Sequence, residues 1–297
     1  MDPAIKELLK PEILSSLNGL ELTARVIVEG FMSGANRSQT IGFGQEFSQY
    51  RNYEPGDDLR QLDWRMYARS ERYYIKQSQI ETNITVKFML DASRSMAYEE
   101  NGISKVQFAR LIMAALGYLA QKQGDTFGLY SVNERKVKVI HPRFEHQHFI
   151  RFLYELTQTN AEGKWRRDGL EQLYHHSGKE MIIFISDLYD QGGDILQFVS
   201  ALKTSRNEVI VLHIMGENEV TLKQEGVFSF QDLESGKTIR VDTKIEREAY
   251  TQRVGKWLRE TKTKLIEKEI FYSFVSLTEP LDKVLRDFLR VRETMKR

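Results

Sequence analysis

Asp91, Ser93 and Ser95 place three hard oxygen donors at alternate positions of the short run Asp91-Ala-Ser-Arg-Ser-Met96. A carboxylate followed by two hydroxyls suits a small hard cation, since Mg2+ takes near-octahedral oxygen coordination at about 2.0–2.1 Å and keeps several waters. The same atoms have a structural use, with the serines capping the next turn and Asp91 bonding loop amides. A second carboxylate, Asp187, stands directly after the apolar run Met181-Ile-Ile-Phe-Ile-Ser186. It reads either as a further ligand or as a cap for the loop behind its strand.

The segment feeding Asp91, Ile84 to Leu90, is apolar at 84, 86, 88, 89 and 90. That pattern predicts a strand covered on both faces. Met181–Ser186 and Val209–Ile214 predict two more. Both acids therefore leave the carboxyl ends of buried strands, where open α/β sheets collect their ligands. A helix with one buried face is predicted from Ser104 to about Lys122, with Val106, Ala109, Met113, Leu116 and Ala120 at three- and four-residue steps. Thr126–Val132 and Val137–Ile140 predict a strand and its hairpin partner. Helices are expected over Phe144–Leu156, Asp168–His176, Asp194–Thr204 and Ile245–Lys268, a strand over Ile270–Leu277, and a last helix opened by Pro280. A hairpin joins Phe228–Leu233 to Thr238–Val241. Alternating strands and helices around apolar central strands predict an α/β layered fold with a mostly parallel sheet.

Upstream, Phe47 to Arg69 gathers Arg51, Asp57, Asp58, Arg60, Asp63, Arg65 and Arg69 among Tyr50, Tyr53, Trp64 and Tyr67. Pro55-Gly56 suits a tight turn and Asp57 or Asp58 a helix cap. The cluster reads as a recognition surface or as a turn and helix locked by Arg–carboxylate bonds. It lacks the spacing of a catalytic set. His175-His176 are adjacent on a predicted helix and point apart, which favours solvated surface over a shared ligand.

Composition narrows the function classes. Lys plus Arg total 43 against 42 for Asp plus Glu, so the overall charge favours neither nucleic acid nor an anionic membrane. The absence of cysteine excludes disulfides, thiolate metal sites and cysteine nucleophiles, and makes a reducing cytoplasm the easier setting. The longest apolar stretch, Leu111–Ala120, is far short of the ~20 residues that span a bilayer. A soluble cytoplasmic protein is expected.

Taken together the residues resemble the domain-of-unknown-function 58 family. The matching positions are Phe47, Tyr50-Arg51, Tyr53, Pro55-Gly56-Asp57-Asp58, Arg60, Asp63-Trp64 and Ala68-Arg69. Asp91-x-Ser93-x-Ser95-Met96, Ser104-Lys105, Gly124-Asp125 and Ser186-Asp187 follow in order. The resemblance implies a Rossmann-like von Willebrand factor A-type three-layer sandwich over residues 81–297, with a hairpin insertion near 226–242. An N-terminal helical and turn extension, residues 1–80, would pack on it. It implies a metal-ion-dependent adhesion site in which Asp91, Ser93, Ser95 and Asp187 hold Mg2+ or Mn2+, completed by a partner's carboxylate. It further implies a non-enzymatic protein-interaction module working with a MoxR-type AAA+ ATPase in assembly or remodelling of protein complexes, in the short soluble form without membrane helices. Arg51, Asp57, Asp58, Arg60, Asp63 and Arg69 are the candidate partner-binding set. The competing expectations are a metal-assisted phosphoesterase and a metal-free scaffold. One departure stands out. The family's Thr ligand is missing, because the loop Glu162-Gly-Lys-Trp-Arg-Arg-Asp-Gly169 carries Lys164 or Trp165 at its place, with Thr157 and Thr159 upstream. A lysine there would bring an ammonium towards the cation.

Overall fold

The computed structural model describes residues 10–35, 47–53, 62–78, 84–166, 170, 173, 180–190 and 192–295. The chain divides into two compact units, Met32–Asn83 and the joined segments Met1–Phe31 and Ile84–Arg297.

In chain order the larger unit opens with helix α1 (Pro11–Leu14) and α2 (Leu17–Ala35), whose last residues run into the smaller unit. The smaller unit holds β1 (Phe47–Asn52), α3 (Trp64–Ser70) and β2 (Tyr74–Ser78), with β1 and β2 paired antiparallel. The larger resumes with β3 (Thr85–Asp91), the two-residue strands β4 (Glu99–Glu100) and β5 (Ile103–Ser104), α4 (Lys105–Gln123), β6 (Thr126–Val132), β7 (Val137–Arg143) and α5 (His146–Thr157). It continues with β8 (Glu180–Ser186), α6 (Asp194–Leu202), β9 (Asn207–Met215) and α7 (Glu217–Thr221). The hairpin β10 (Val227–Gln231) and β11 (Thr238–Asp242), α8 (Thr243–Ile266), β12 (Phe271–Ser276) and α9 (Leu281–Met295) complete it. The helix expected over Asp168–His176 lies almost wholly outside the described residues.

Six strands form one sheet in the order β12-β9-β8-β3-β6-β7, parallel throughout except for β7, which runs antiparallel to β6. Counted by appearance and read from β7, this is the 3-2-1-4-5-6 order of a Rossmann-like sheet, whose winding reverses between β3 and β8. The side-chain period of two sorts the core. Met89, Ile182, Phe184, Val209 and Val211 pack with Phe198 and Val199 of α6 and Leu265 of α8. On the other face Phe88 meets Phe152 of α5, ring centroids 5.4 Å apart, and Val86, Leu116 and Phe288 bring in α4 and α9. The result is three layers, helix–sheet–helix.

Helix α4 departs from its one-faced pattern. Every residue from Phe108 to Ala120 is buried. The sheet takes one side and α5 another, while Tyr118 donates to Glu29 of α2 at 2.9 Å. A helix enclosed on several sides has no use for a polar face. Its start is held by a capping box in which Ser104 Oγ and the Gln107 side chain bond each other's backbone amides. Gly124, with φ +79°, ends the helix in the left-handed region.

Candidate functional site at the carboxyl ends of β3 and β8

The winding reverses between β3 and β8, so the connections leaving these two neighbouring strands diverge at their carboxyl ends. β3 ends on Asp91 and β8 runs straight into Asp187, so the fold delivers both carboxylates to that end of the sheet. The sequence-predicted set does converge here. Asp91, fully buried, accepts from the Ser93 backbone N–H at 2.9 Å and from Ser186 Oγ at 2.6 Å. Ser93 Oγ and Ser95 Oγ lie 3.0 Å apart, and Ser95 Oγ donates to Asp187 Oδ1 at 3.2 Å. Asp187 Oδ1 also accepts from the Tyr189 N–H at 3.1 Å. Burial first, and the nearby Asp187 second, push the Asp91 carboxyl up to about 6, against the bonds from Ser186 and Ser93.

The loop is pinned from both sides. The Ala92 N–H donates to the Val132 carbonyl at 2.8 Å and that of Glu162 to the Ala92 carbonyl at 2.9 Å. The Arg94 N–H donates to the Gly163 carbonyl at 2.8 Å. Gly163 adopts φ +67°, and a Cβ there would stand 2.5 Å from the Glu134 side chain, so only glycine passes. Arg110 of α4 donates to the Thr159 carbonyl and ties the same crossing loop to the helix layer.

A residue that stands in the sequence inside the pair Ser104-Lys105 governs the charge of the site. Lys105, the first residue of α4, is 2% exposed. Its Nζ donates to Asp187 Oδ2 at 2.5 Å and to Glu219 Oε1 at 2.9 Å, and sits 5.3 Å from the centre of the Tyr98 ring. Burial works against the ammonium, but Asp187 and Glu219 outweigh it and raise the Lys105 pKa. Glu219 comes from the short helix α7, which no periodicity announces. Its other oxygen accepts from the Gly216 N–H at 2.8 Å. The signal available in the sequence was a lysine opening an otherwise apolar helix directly after the Asp-x-Ser-x-Ser loop.

Two further groups lie close by. Glu234, in the turn of the β10–β11 hairpin, has an Oε1 that is buried with no hydrogen-bond partner among the described residues. Burial, with the charges of Asp187, Asp91, Asp232 and Asp190, pushes its carboxyl up to about 7. Tyr189 OH bonds Asp232 in the same turn. His213, beside Ser186 on the next strand, is buried, bonds Tyr272 OH through Nδ1 at 2.8 Å and is held down to about 4 by burial.

Whether these residues suit a divalent ion turns on charge and lone pairs. The donors are all oxygen, as a hard ion wants. Yet both oxygens of Asp91 and both of Asp187 already accept protein donors, and one of those donors is an ammonium. A doubly charged ion on the same carboxylate would meet Lys105 with a repulsion on the order of 5 kcal/mol at an effective dielectric of about 20. The crossing loop brings backbone and no hydroxyl. Thr157 Oγ1 donates to the Tyr154 carbonyl and Thr159 Oγ1 to that of Glu155, both carbonyls being in the last turn of α5. Lys164 is exposed, and Trp165 packs on Phe184 and Phe198, so the ammonium at the site comes from Lys105 instead. As arranged, the residues do not fit a divalent ion.

In the smaller unit, the candidate partner-binding residues are placed unevenly. Asp63 caps α3, accepting from the N–H groups of Arg65 at 2.9 Å and Met66 at 3.1 Å. Arg69 is exposed in the last turn of that helix. Arg51 stands opposite Ile75 in the β1–β2 pair. Asp57, Asp58 and Arg60 lie outside the described residues. Tyr67 stacks on Tyr73 at 4.6 Å, with Tyr53 at its edge.

The chain is an α/β domain whose candidate site lies at the switch-point end of a Rossmann-like sheet. The model of the family described as "Protein of unknown function DUF58" matches residues 49–259, and the chain belongs to that family. The chain is 26% identical over 235 residues to Uncharacterized protein Rv1480 of Mycobacterium tuberculosis, covering 76% of this chain and 72% of that one. Uncharacterized protein Mb1516 of Mycobacterium bovis matches to the same extent. Among solved structures, BatB from Bacteroides thetaiotaomicron is similar at 16% identity and TM-score 0.45, covering 72% of this chain and all of that one (100%). The SpRpn10 VWA domain is similar at 10% identity and TM-score 0.39, over 69% and 94% of the two chains. No helix among the described residues is long and apolar enough to cross a membrane.

Proposed function

We propose that the chain is a non-enzymatic protein-interaction module whose partner docks at the strand ends, on the loop that the buried set Asp91, Ser93, Ser95 and Asp187 holds in place and that exposes Arg94 and Ala97. The observation that supports this most directly is the rigidity of that loop. The Asp91–Ala97 loop is bonded on one side to β6 and on the other to the crossing loop at Glu162 and Gly163, so its exposed residues are presented in one conformation. Preorganised loops of this kind lower the entropic cost of association. The serine hydroxyls are bonded to each other and to a carboxylate that is itself held by a lysine, an arrangement that suits presentation better than nucleophilic attack. The family resemblance points to a MoxR-type AAA+ ATPase as the partner, in assembly or remodelling of other protein complexes in the cytoplasm. Arg69, exposed on the smaller unit, is a separate candidate for partner contact.

The test is affinity capture from native lysate at physiological salt, with wild type and a Ser93→Ala/Ser95→Ala variant whose fold is checked by circular dichroism. Recovery of an AAA+ ATPase by wild type, and its loss in the variant, is the expected result. Equal recovery by both would move the docking face elsewhere. A phosphoester screen runs alongside, and turnover abolished by Asp91→Ala would overturn the non-enzymatic reading.

A further inference from the structure

We propose that the ammonium of Lys105 is the resident cation of this site, balancing Asp187 in the way a divalent ion otherwise would, so that the strand-end face is built and works without metal. Three elements converge on one buried nitrogen: the end of β8 through Asp187, the start of α4 through Lys105 itself, and α7 through Glu219. At 2% exposure the ammonium is out of reach of a partner and serves the interior of the site. Tyr98, which follows the Asp-x-Ser-x-Ser turn, lays its ring 5.3 Å from the same nitrogen. Through Asp187 the lysine also orders the hydroxyl chain, because the carboxylate that it holds by Oδ2 receives Ser95 on Oδ1, and Ser95 meets Ser93. The missing threonine belongs to the same picture. With the cation supplied covalently by the chain, the crossing loop needs no hydroxyl, and among its described residues it gives the Asp91–Ala97 loop the Gly163 carbonyl and the Glu162 amide. The inference concerns what the site holds, and stands whether or not a partner docks there.

The experiment uses the full chain, stripped of metal by chelation. Wild type titrated with Mn2+ is expected to show no saturable heat, and its thermal midpoint should be equal in EDTA and in Mg2+. Lys105→Gln removes the ammonium and leaves an amide oxygen in its place. That variant is expected to gain a Mn2+-dependent rise in thermal midpoint of roughly 5–10 °C at about 100-fold excess over Kd, and to lose it again when Asp91→Asn is added. Saturable Mn2+ binding by wild type that disappears in Asp91→Ala would overturn the proposal. So would a folded Lys105→Gln that stays silent to the ion, because the lysine would then not be what excludes it. Should Lys105→Gln fail to fold, paramagnetic broadening by Mn2+ on the wild-type chain decides alone. Broadening centred on the Ser93 and Ser95 amides refutes the resident ammonium, and its absence supports it.

Discussion

Replacing Lys105 by methionine keeps most of the side-chain volume and removes only the charge. The ammonium lies 2.5 Å from Asp187 Oδ2 and 2.9 Å from Glu219 Oε1. At an effective dielectric of about 20, each contact carries a gross attraction of about 6 kcal/mol, much of which offsets the cost of bringing the charges out of water. What the substitution exposes is the remainder, together with a buried carboxylate left without its counter-charge. Loss of one partner from such a pair costs about 3–5 kcal/mol. Asp187 dominates that figure because its side chain is 2% exposed, while that of Glu219 is 23% exposed and can be reached by water. Urea unfolding at pH 7, followed by circular dichroism, should therefore show a lowered midpoint with an unchanged slope. The double variant Lys105→Met/Asp187→Asn should recover part of the loss, with a coupling of about 2–3 kcal/mol in the double-mutant cycle. A loss below about 1 kcal/mol, or additive single effects, would show that the ammonium does not balance this site.

Other perturbations test the framework around the site. At the amino end of the sheet Lys87 Nζ bonds Glu180 Oε2 at 2.8 Å with both side chains buried, so Lys87→Met should cost about 3–5 kcal/mol in urea melts, and adding Glu180→Leu should recover most of it. The Glu234 carboxyl is raised to about 7 in the folded chain, so the native state holds a proton that the unfolded chain releases at lower pH, and the stabilisation present at acid pH is lost as pH rises through about 7. Half-exposure and solvent screening reduce the effect to about 1–2 kcal/mol, and Glu234→Gln should flatten that stretch of the stability–pH profile. His213 runs the other way. Held down to about 4, it stays neutral in the folded chain while the unfolded chain takes up a proton, so stability should fall by about 3 kcal/mol between pH 6.5 and 4, and His213→Phe should remove that slope.

Much of the architecture is legible in the pattern of side chains. Near-continuous apolar runs mark β3, β8 and β9 because both of their faces are covered, and the alternation with helices implies a parallel sheet. The short strand expected at Val137–Ile140 runs on to Arg143, where polar residues give no alternation and only pairing with β6 sustains the strand. Helix α4 reads as one-sided and is enclosed, because the elements that cover its other faces, α2 and α5, are brought there by the fold. Helix α7 carries five residues and no hydrophobic period, so Glu219 gives no local sign of its role.

The sequence by itself determined that Asp91, Ser93, Ser95 and Asp187 would stand at strand ends. Strand termini follow from local apolar pattern, and an oxygen donor just past one has nowhere else to go. The cation between them was decided only in three dimensions. Lys105 and Asp187 are separated by the whole of α4, β6, β7, α5 and β8, and Glu219 by more of the chain again. An ion pair across such separations leaves no periodic trace; it exists because the reversal of the sheet between β3 and β8 brings the start of one helix against the end of another strand. Burial then makes the pairing obligatory, since neither the ammonium nor the Asp187 carboxylate could remain charged alone at 2% exposure.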